Sequence, residues 1–450
     1  MFILLALLAA CTHPDPVPRS VSWTTVRPEL AAEITAPRGL VPLRSIIHLH
    51  SPWSHDACDG AMGKTQTFDE SCLSDLRKGL CDNAIDVAFL TDHPGYAADQ
   101  SYADLLESRE GDSPWQEDGK TVGNVIHCDS GHDVVWLPGF EGDMMPVAMD
   151  EQAGTNADDH ARIYNNPGSD TITAARAAGG IVLMSHTEGH ALDELETLQD
   201  GGLQGTELFN VHAMFSPTIR GNALGLDPYS WLSDAGPFID PDTSAVPDLF
   251  FLAVLQEEIP AVQRWDAMLQ RGRVIGTAGT DAHQNVLPTT LADGERGDSY
   301  RRVISWFTNV LLARGTDPGD AEEALSEGRL YAAFEALGTP EHFDFHLLDD
   351  QGQVYEMGSD APSGRLVVSC PHLAAQSPRG EQDPEITVTV FRDGEPWKTG
   401  CGVYAADGPH VYRVRVDMVP WHLRPFLGDD PDPWMHSYPW IYSNAIRVGM

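Results

Sequence analysis

Between residues 43 and 283 the chain repeats one arrangement: a short apolar run that ends in polar or ionisable side chains, then a segment of helical character. The runs are "SIIHLH", "IDVAFLT", "VVWLPGFE", "GIVLMSH", "GTELFNV" and "RVIGTAGT". Runs of this length read as buried strands, and their alternation with helices such as "TITAARAAG" and "PAVQRWDAMLQRG" predicts an α/β fold of parallel strands joined by helical crossovers. Barrels of that kind place their chemistry at the C-terminal ends of the strands. The residues that end each run are therefore the candidates for a site.

The first run opens the stretch "RSIIHLHSPWSHD". His48 and His50, two apart on a strand, are expected to share a face. A divalent cation satisfies two converging imidazoles, whereas two structural histidines at a strand end are the plainer alternative. In "FLTDHPG" the adjacent Asp92 and His93 face opposite ways, so His93 is expected to ligate and Asp92 to orient the site. "LPGFEGD" offers Glu141, whose two oxygens can bridge a pair of cations. "IVLMSHTEG" adds His186, and "VIGTAGTDAHQN" adds Asp281 and His283, again two apart. Singly, these are ordinary turn, cap or salt-bridge residues; recurring at five strand ends, they argue for one shared site. Imidazoles and carboxylates without thiolates suit Mn, Zn or Fe as divalent ions.

Taken in order, "HLHS", "TDH", "GFE", "MSH" and "GTDAH" resemble the motifs of the polymerase and histidinol phosphatase (PHP) family of metal-dependent phosphoesterases, over roughly residues 43 to 340. The resemblance implies a distorted (β/α)7 barrel holding two or three divalent cations. It implies His48, His50, His93, Glu141, His186, Asp281 and His283 as ligands, with His55, or its neighbour Asp56, matching a further ligand shortly after H-x-H. A histidine that many members carry between the glutamate and "MSH" has His160 as its candidate here. Glu207 and His212 are expected near the mouth, as supporting or structural residues.

The expected reaction is hydrolysis of a phosphomonoester or phosphodiester. A hydroxide bridging two cations would attack phosphorus in line, and His55 or His212, if not ligating, would protonate the leaving alkoxide. Arg162 and Arg220 are candidates for contact with the phosphate of a small phosphorylated substrate. Two other classes compete. Amidohydrolase-type barrels also begin with H-x-H and end with an aspartate, but many bridge their metals with a carboxylated lysine, and no lysine lies between Lys120 and Lys398. A non-catalytic envelope protein that merely stores metal is the other.

At 450 residues the chain exceeds one ordinary core. We expect the barrel over residues 41–340 and a small antiparallel, sandwich-like β domain over 341–450, carried by "RLVVSC", "EITVTVFRDGEPW" and "HVYRVRVDM". The stretch from Ser216 to Asp248 reads as a long loop able to cap the barrel mouth. With 28 basic against 67 acidic residues, a formal charge of −39, the surface repels phosphate backbones, and nucleic acid is not an expected partner.

"MFILLALLAAC" is too short to cross a bilayer and reads as an export signal over residues 1–11. Its Leu8-Ala9-Ala10-Cys11 resembles the lipobox of bacterial lipoproteins; a cleaved signal with an incidental cysteine is the alternative. The prolines Pro14, Pro16 and Pro18 then suggest an extended tether over residues 12–40. The expected location is the periplasmic or surface face of the outer membrane, with contact to the membrane only through a lipidated Cys11. Of the remaining cysteines, Cys370 and Cys401 are expected to pair, while Cys58, Cys72, Cys81 and Cys128 allow three connectivities.

Overall fold

In the computed structural model, which describes residues 20–30, 38–142, 144–240 and 242–450, each of the six apolar runs forms a strand. They are β1 (Val41–Leu49), β2 (Val87–Phe89), β3 (Asp133–Leu137), β5 (Ile181–Met184), β6 (Gly205–Asn210) and β7 (Ile275–Ala282). A short additional strand, β4 (Met144–Val147), lies between the third and fourth of them. Parallel pairing runs in the order β3, β2, β1, β7, β6, β5. β4 lies antiparallel to β5, and backbone bonds from Phe140 to Pro146 and from Met149 to Pro138, both 2.9 Å, close the ring.

The ring thus holds six parallel strands and one antiparallel strand, where the resemblance implied a distorted (β/α)7 barrel. The cause is local. The return from β3 to β4 is too short for a helical crossover, so only antiparallel geometry is open to it. Gly139 permits that return, because a Cβ there would lie 2.5 Å from the carbonyl oxygens of Leu90 and Pro146.

Alternation along the strands divides the core. Ile47, Phe89, Leu137, Val147 and Leu183 join one buried cluster, together with Ala321, Ala324 and Leu325 of the helix Pro318–Ser326. Their neighbours Ile46, Ala88, Trp136 and Val182 join another, against the helices. One of those helices, Glu70–Asp82, starts where Asp69 accepts from the amides of Ser71 and Cys72, and it buries Leu73, Leu76 and Leu80 at helical spacing. Each such buried leucine contributes roughly 1.5–3 kcal/mol.

Two regions depart from expectation. The stretch 216–248 is partly helical, with helices Pro217–Asn222 and Ser230–Ile239, the first capped by Ser216 accepting from the Ile219 amide. The C-terminal strands pair antiparallel, except that Asp360–Ala361 runs parallel to Ile446–Val448, and they do not stand apart. One group forms a four-stranded sheet from Val354–Glu356, Asp344–Asp349, Gly364–Ser369 and Gly402–Ala406. The other group continues the barrel sheet. β8 (Thr308–Ala313) pairs with the first half of β1, β9 (Leu330–Ala333) pairs with β8, and Tyr438–Ser443 pairs with β9. Asn444 fastens this join: its side chain exchanges hydrogen bonds with the backbone of Gly276 in β7, at 2.8 and 2.9 Å.

Residues 20–30, within the stretch read as a tether, lie on the body of the protein. Val21 pairs with Arg379, the Trp23 indole donates to Asp248 at 3.1 Å, and Arg27 donates to the Ser305 carbonyl at 2.7 Å. Cys11 and the apolar run before it lie outside the described residues. Among the described residues no helix is long and apolar enough to cross a membrane. Disulfides join Cys58 to Cys72, Cys81 to Cys128, and Cys370 to Cys401, the last as expected.

Candidate metal centre

The strand ends gather their ionisable residues at one rim of the barrel. His48 Nε2 lies 3.1 Å from Glu141 Oε2 and 3.3 Å from Asp281 Oδ1, and His50 Nε2 lies 3.3 Å from each of the same two oxygens. His186 Nε2 is 3.0 Å from the other oxygen of Glu141. On the far side, His93 Nε2 and His283 Nε2 face the two oxygens of Asp56 at 3.6 and 3.5 Å.

What aims the rings is the partner of each Nδ1. That of His48 donates to Glu207 at 2.7 Å, and that of His50 to Ser54 Oγ at 2.8 Å. That of His93 donates to the Glu141 carbonyl at 3.1 Å, and that of His283 to the Asp281 carbonyl at 2.8 Å. With Nδ1 donating in this way, the neutral form of each ring directs its Nε2 lone pair toward the carboxylates, as a metal ligand must.

His48 Nε2, His50 Nε2, His283 Nε2, Glu141 Oε2, Asp281 Oδ1 and Asp56 Oδ1 are buried with no hydrogen-bond partner. An unmet buried polar atom costs about 1–3 kcal/mol, and here six are unmet in one place. Divalent cations held between these groups would satisfy them. The donors fall into three overlapping groups whose ligand atoms lie within 4.8 Å of one another: His48, His50, Glu141 and Asp281; His50, His93 and His283; His55, Asp56 and His93. The residues fit metal, and Glu141 reaches both His48 and His186 through different oxygens. A fourth acidic group, Asp248, Asp293 and Glu295, is neutralised by Arg301 and Arg302 and is an ion-pair cluster.

The field inside the cluster tells the same story. Burial opposes a charge on His48, yet Glu141, Asp281 and Glu207 outweigh it and hold the ring well above its usual value. Burial opposes a charge on His50 too, and the neighbouring carboxylates of Asp281 and Glu141 raise it to about 9. Burial and the adjacent His50 push His283 down to about 4. Glu141 and Asp281, although buried, are held well below the carboxylate range, His48 being the largest opposing influence on both. The cluster demands positive charge at its middle.

The local backbone is unusual. His48 (φ 67°), His186 (φ 49°) and Asp281 (φ 47°) all adopt the left-handed region, sparsely populated for residues with a Cβ and costing about 1 kcal/mol or more each. The pairing of β1 with β7 shifts register between Ile47 and Leu49. His48 and His50 therefore converge through a bulge, not through the simple alternation expected of a strand.

Supporting groups hold this arrangement. Glu207 also accepts from the His186 amide at 2.8 Å and from Asn210 at 2.9 Å. Asp92 accepts from Ser51 and Ser54, and Ser54 bonds His50. The buried Tyr300 hydroxyl donates to the His50 carbonyl at 2.8 Å. Sequence reading missed Ser54 and Tyr300, and nothing in their spacing announces them.

The remaining candidates fall on either side of the centre. His55 is half-exposed, with its ring centroid 4.9 Å from that of His93. His212 is more than half exposed and stands on the opposite flank, 3.6 Å from Asp281 Oδ2. His160 bonds the Ala98 carbonyl and belongs to none of the ligand groups. Arg162 pairs with Asp159. The Arg220 guanidinium is spent on the carbonyls of Met214 and Asp227 and on Ser230. The arginines read as phosphate contacts are therefore engaged elsewhere.

Beside His212 a cleft of about 490 Å³ opens from Asp56, Asp281 and His283, walled by Phe215, Trp231, Phe250 and Trp306.

No family model matches the chain, and no curated protein matches it. Two solved structures are similar to it. One is a two-domain protein containing a predicted PHP-like metal-dependent phosphoesterase from Bacteroides vulgatus ATCC 8482. It has 11% identity and a TM-score of 0.37, over 92% of this chain and 98% of that one. The other is PsfC from Pseudomonas syringae PB-5123, with 12% identity and a TM-score of 0.32, over 61% of this chain and 83% of that one. Likeness at this level says nothing about chemistry.

Proposed function

We propose that the protein is a metal-dependent phosphoesterase that hydrolyses a small phosphomonoester or phosphodiester. The observation that carries this reading is the convergence of unpartnered buried nitrogens and carboxylate oxygens on one point. The order of the five motifs, which resembles that of the PHP family, favours phosphorus over carbon as the centre attacked.

His48, His50, Glu141, His186 and Asp281 would hold one part of the metal set, and His93, His283 and Asp56, with His55 beside them, the other. Divalent cations there supply Lewis acidity toward water and toward a phosphoryl oxygen. The nitrogen and oxygen donors suit Mn, Zn or Fe. Glu207 and Ser54 fix the tautomers of His48 and His50, so those rings present lone pairs without rearranging. His212, solvent-accessible and beside Asp281, is the group best situated to give a proton to the leaving oxygen. The partial exposure of His186 and His212 leaves one flank of the centre open, which favours catalysis over metal storage. Three disulfides suit export to an oxidising compartment, and the lipobox-like Cys11 suits a lipoprotein anchored there.

The test is a phosphoester panel run on protein loaded separately with Mn, Zn or Fe, beside Asp281→Asn. We expect turnover by the native chain and a loss of at least 100-fold in the variant. Amide or carboxylic ester cleavage without phosphate release would overturn the reading in favour of an amidohydrolase type.

A further inference from the structure

We propose that the substrate of this site carries a bulky apolar alcohol, aromatic or polycyclic, as its leaving group; this rests on the phosphoesterase reading above and names the substrate class. The cleft next to the centre shares Asp56, Asp281 and His283 with it, so a molecule whose phosphoryl group sits at the centre extends directly into the cleft. His212 stands at the junction, where the bond between phosphorus and the leaving oxygen would lie.

One wall of the cleft is aromatic, while Ser216, Gln284 and Asn285 add polar groups elsewhere on its lining. Phe215 packs edge-on to Trp231 at 5.2 Å and beside Phe250 at 5.8 Å, and Phe250 meets Trp306 edge-on at 5.9 Å. Val286, 58% exposed, adds an apolar residue to the lining. Among the described residues neither lysine nor arginine lines the cleft. Its one inward acid besides the metal-facing pair, Asp298, is occupied by the amides of Val286 and Leu287 and by Arg296. A second phosphate or a carboxylate on the leaving group would therefore meet no counter-charge inside a protein of formal charge −39. A sugar would set part of its hydroxyls against the aromatic wall, where nothing pairs them. An apolar ring system gains contact with the aromatic wall.

In the reaction water adds its oxygen to phosphorus, the bond from phosphorus to the leaving oxygen breaks, and that oxygen takes a proton to depart as the neutral alcohol. The apolar product then leaves the cleft while inorganic phosphate, or a phosphomonoester, leaves the centre.

Two measurements test this. The first reads binding alone: 2-naphthylmethanol titrated into the full chain, followed by tryptophan fluorescence, with Trp231→Ala and Phe250→Ala beside it. We expect saturable quenching, weakened about tenfold in each variant. The second reads kcat/KM for 2-naphthylmethyl phosphate against glycerol 3-phosphate, whose leaving alcohols are of similar acidity. We expect a preference on the order of 100-fold for the naphthylmethyl ester from apolar burial, shrinking in the Trp231 variant. Equal rates, a preference for glycerol 3-phosphate, or absence of saturable quenching overturns the proposal. Quenching without hydrolysis of any phosphoester upholds the apolar occupant and overturns the phosphoesterase reading instead.

Discussion

The Nδ1 of His48 donates to Glu207 across 2.7 Å, and this contact decides which nitrogen of that fully buried histidine faces the centre. Glu207→Gln keeps the shape and removes the charge. We expect metal affinity to fall 10- to 100-fold with an unchanged circular dichroism spectrum. Competition against a chelator of known affinity measures it, and unchanged affinity would show the contact to be incidental.

Gly279 makes room for that carboxylate. A Cβ at this position would sit 1.8 Å from Glu207 Oε1, so Gly279→Ala must displace the side chain. The expected cost is roughly 1–3 kcal/mol of stability together with lost metal content. Gly276→Ala is the control: its Cβ would press on the Leu208 side chain at 2.7 Å, so it should cost stability and keep the metal. Elemental analysis and thermal melts separate the two.

A carboxylate outside the centre sets a pH dependence. Burial, then Glu117 and Asp150, raise Glu322 from 4.5 to about 8. A raised carboxyl contributes stability that is complete below 4.5 and lost as pH climbs through 8. The native chain should lose at most about 1.4 kcal/mol per pH unit across that window relative to Glu322→Gln. Melting temperatures of the two at pH 4.5 and pH 8.5 check this, and a constant difference between them would refute it.

The disulfide between Cys58 and Cys72 anchors the turn that follows Asp56, a turn with left-handed backbone at Cys58, Asp59 and Gly60. Its closed segment spans 14 residues, for which about 3 kcal/mol is expected. Replacing both cysteines by alanine should lower the melting temperature. It should also weaken the ligand group containing His55, Asp56 and His93 more than the one containing His48. Cobalt absorption spectra that lose one component before the other would display this.

Much of the centre is legible in the sequence because burial and ligand chemistry leave local marks. Apolar runs identify β1, β2, β3, β5, β6 and β7, and their last residues supply His93, Glu141, His186 and Asp281. What escapes reading depends on partners distant in the chain. β8 lies in the plain run "FTNVLLA", whose pairing with β1 has no local sign. Ser54, Tyr300 and the acceptor role of Glu207 are set by contacts across the barrel. The bulge at His48 is a left-handed turn of a residue that rarely makes one, so strand alternation reaches the correct convergence by the wrong geometry. The antiparallel β4 follows from the brevity of a loop, and apolar periodicity does not report direction.

The join between Tyr438–Ser443 and β9 has a temporal meaning. The sheet that carries the centre acquires this neighbour only once residues 438–443 have been made, long after β9 itself. Shortened at about residue 340, it would present the raw margin of Leu330–Ala333 to any passing strand. Such a fragment should collect as aggregate, not as a smaller enzyme.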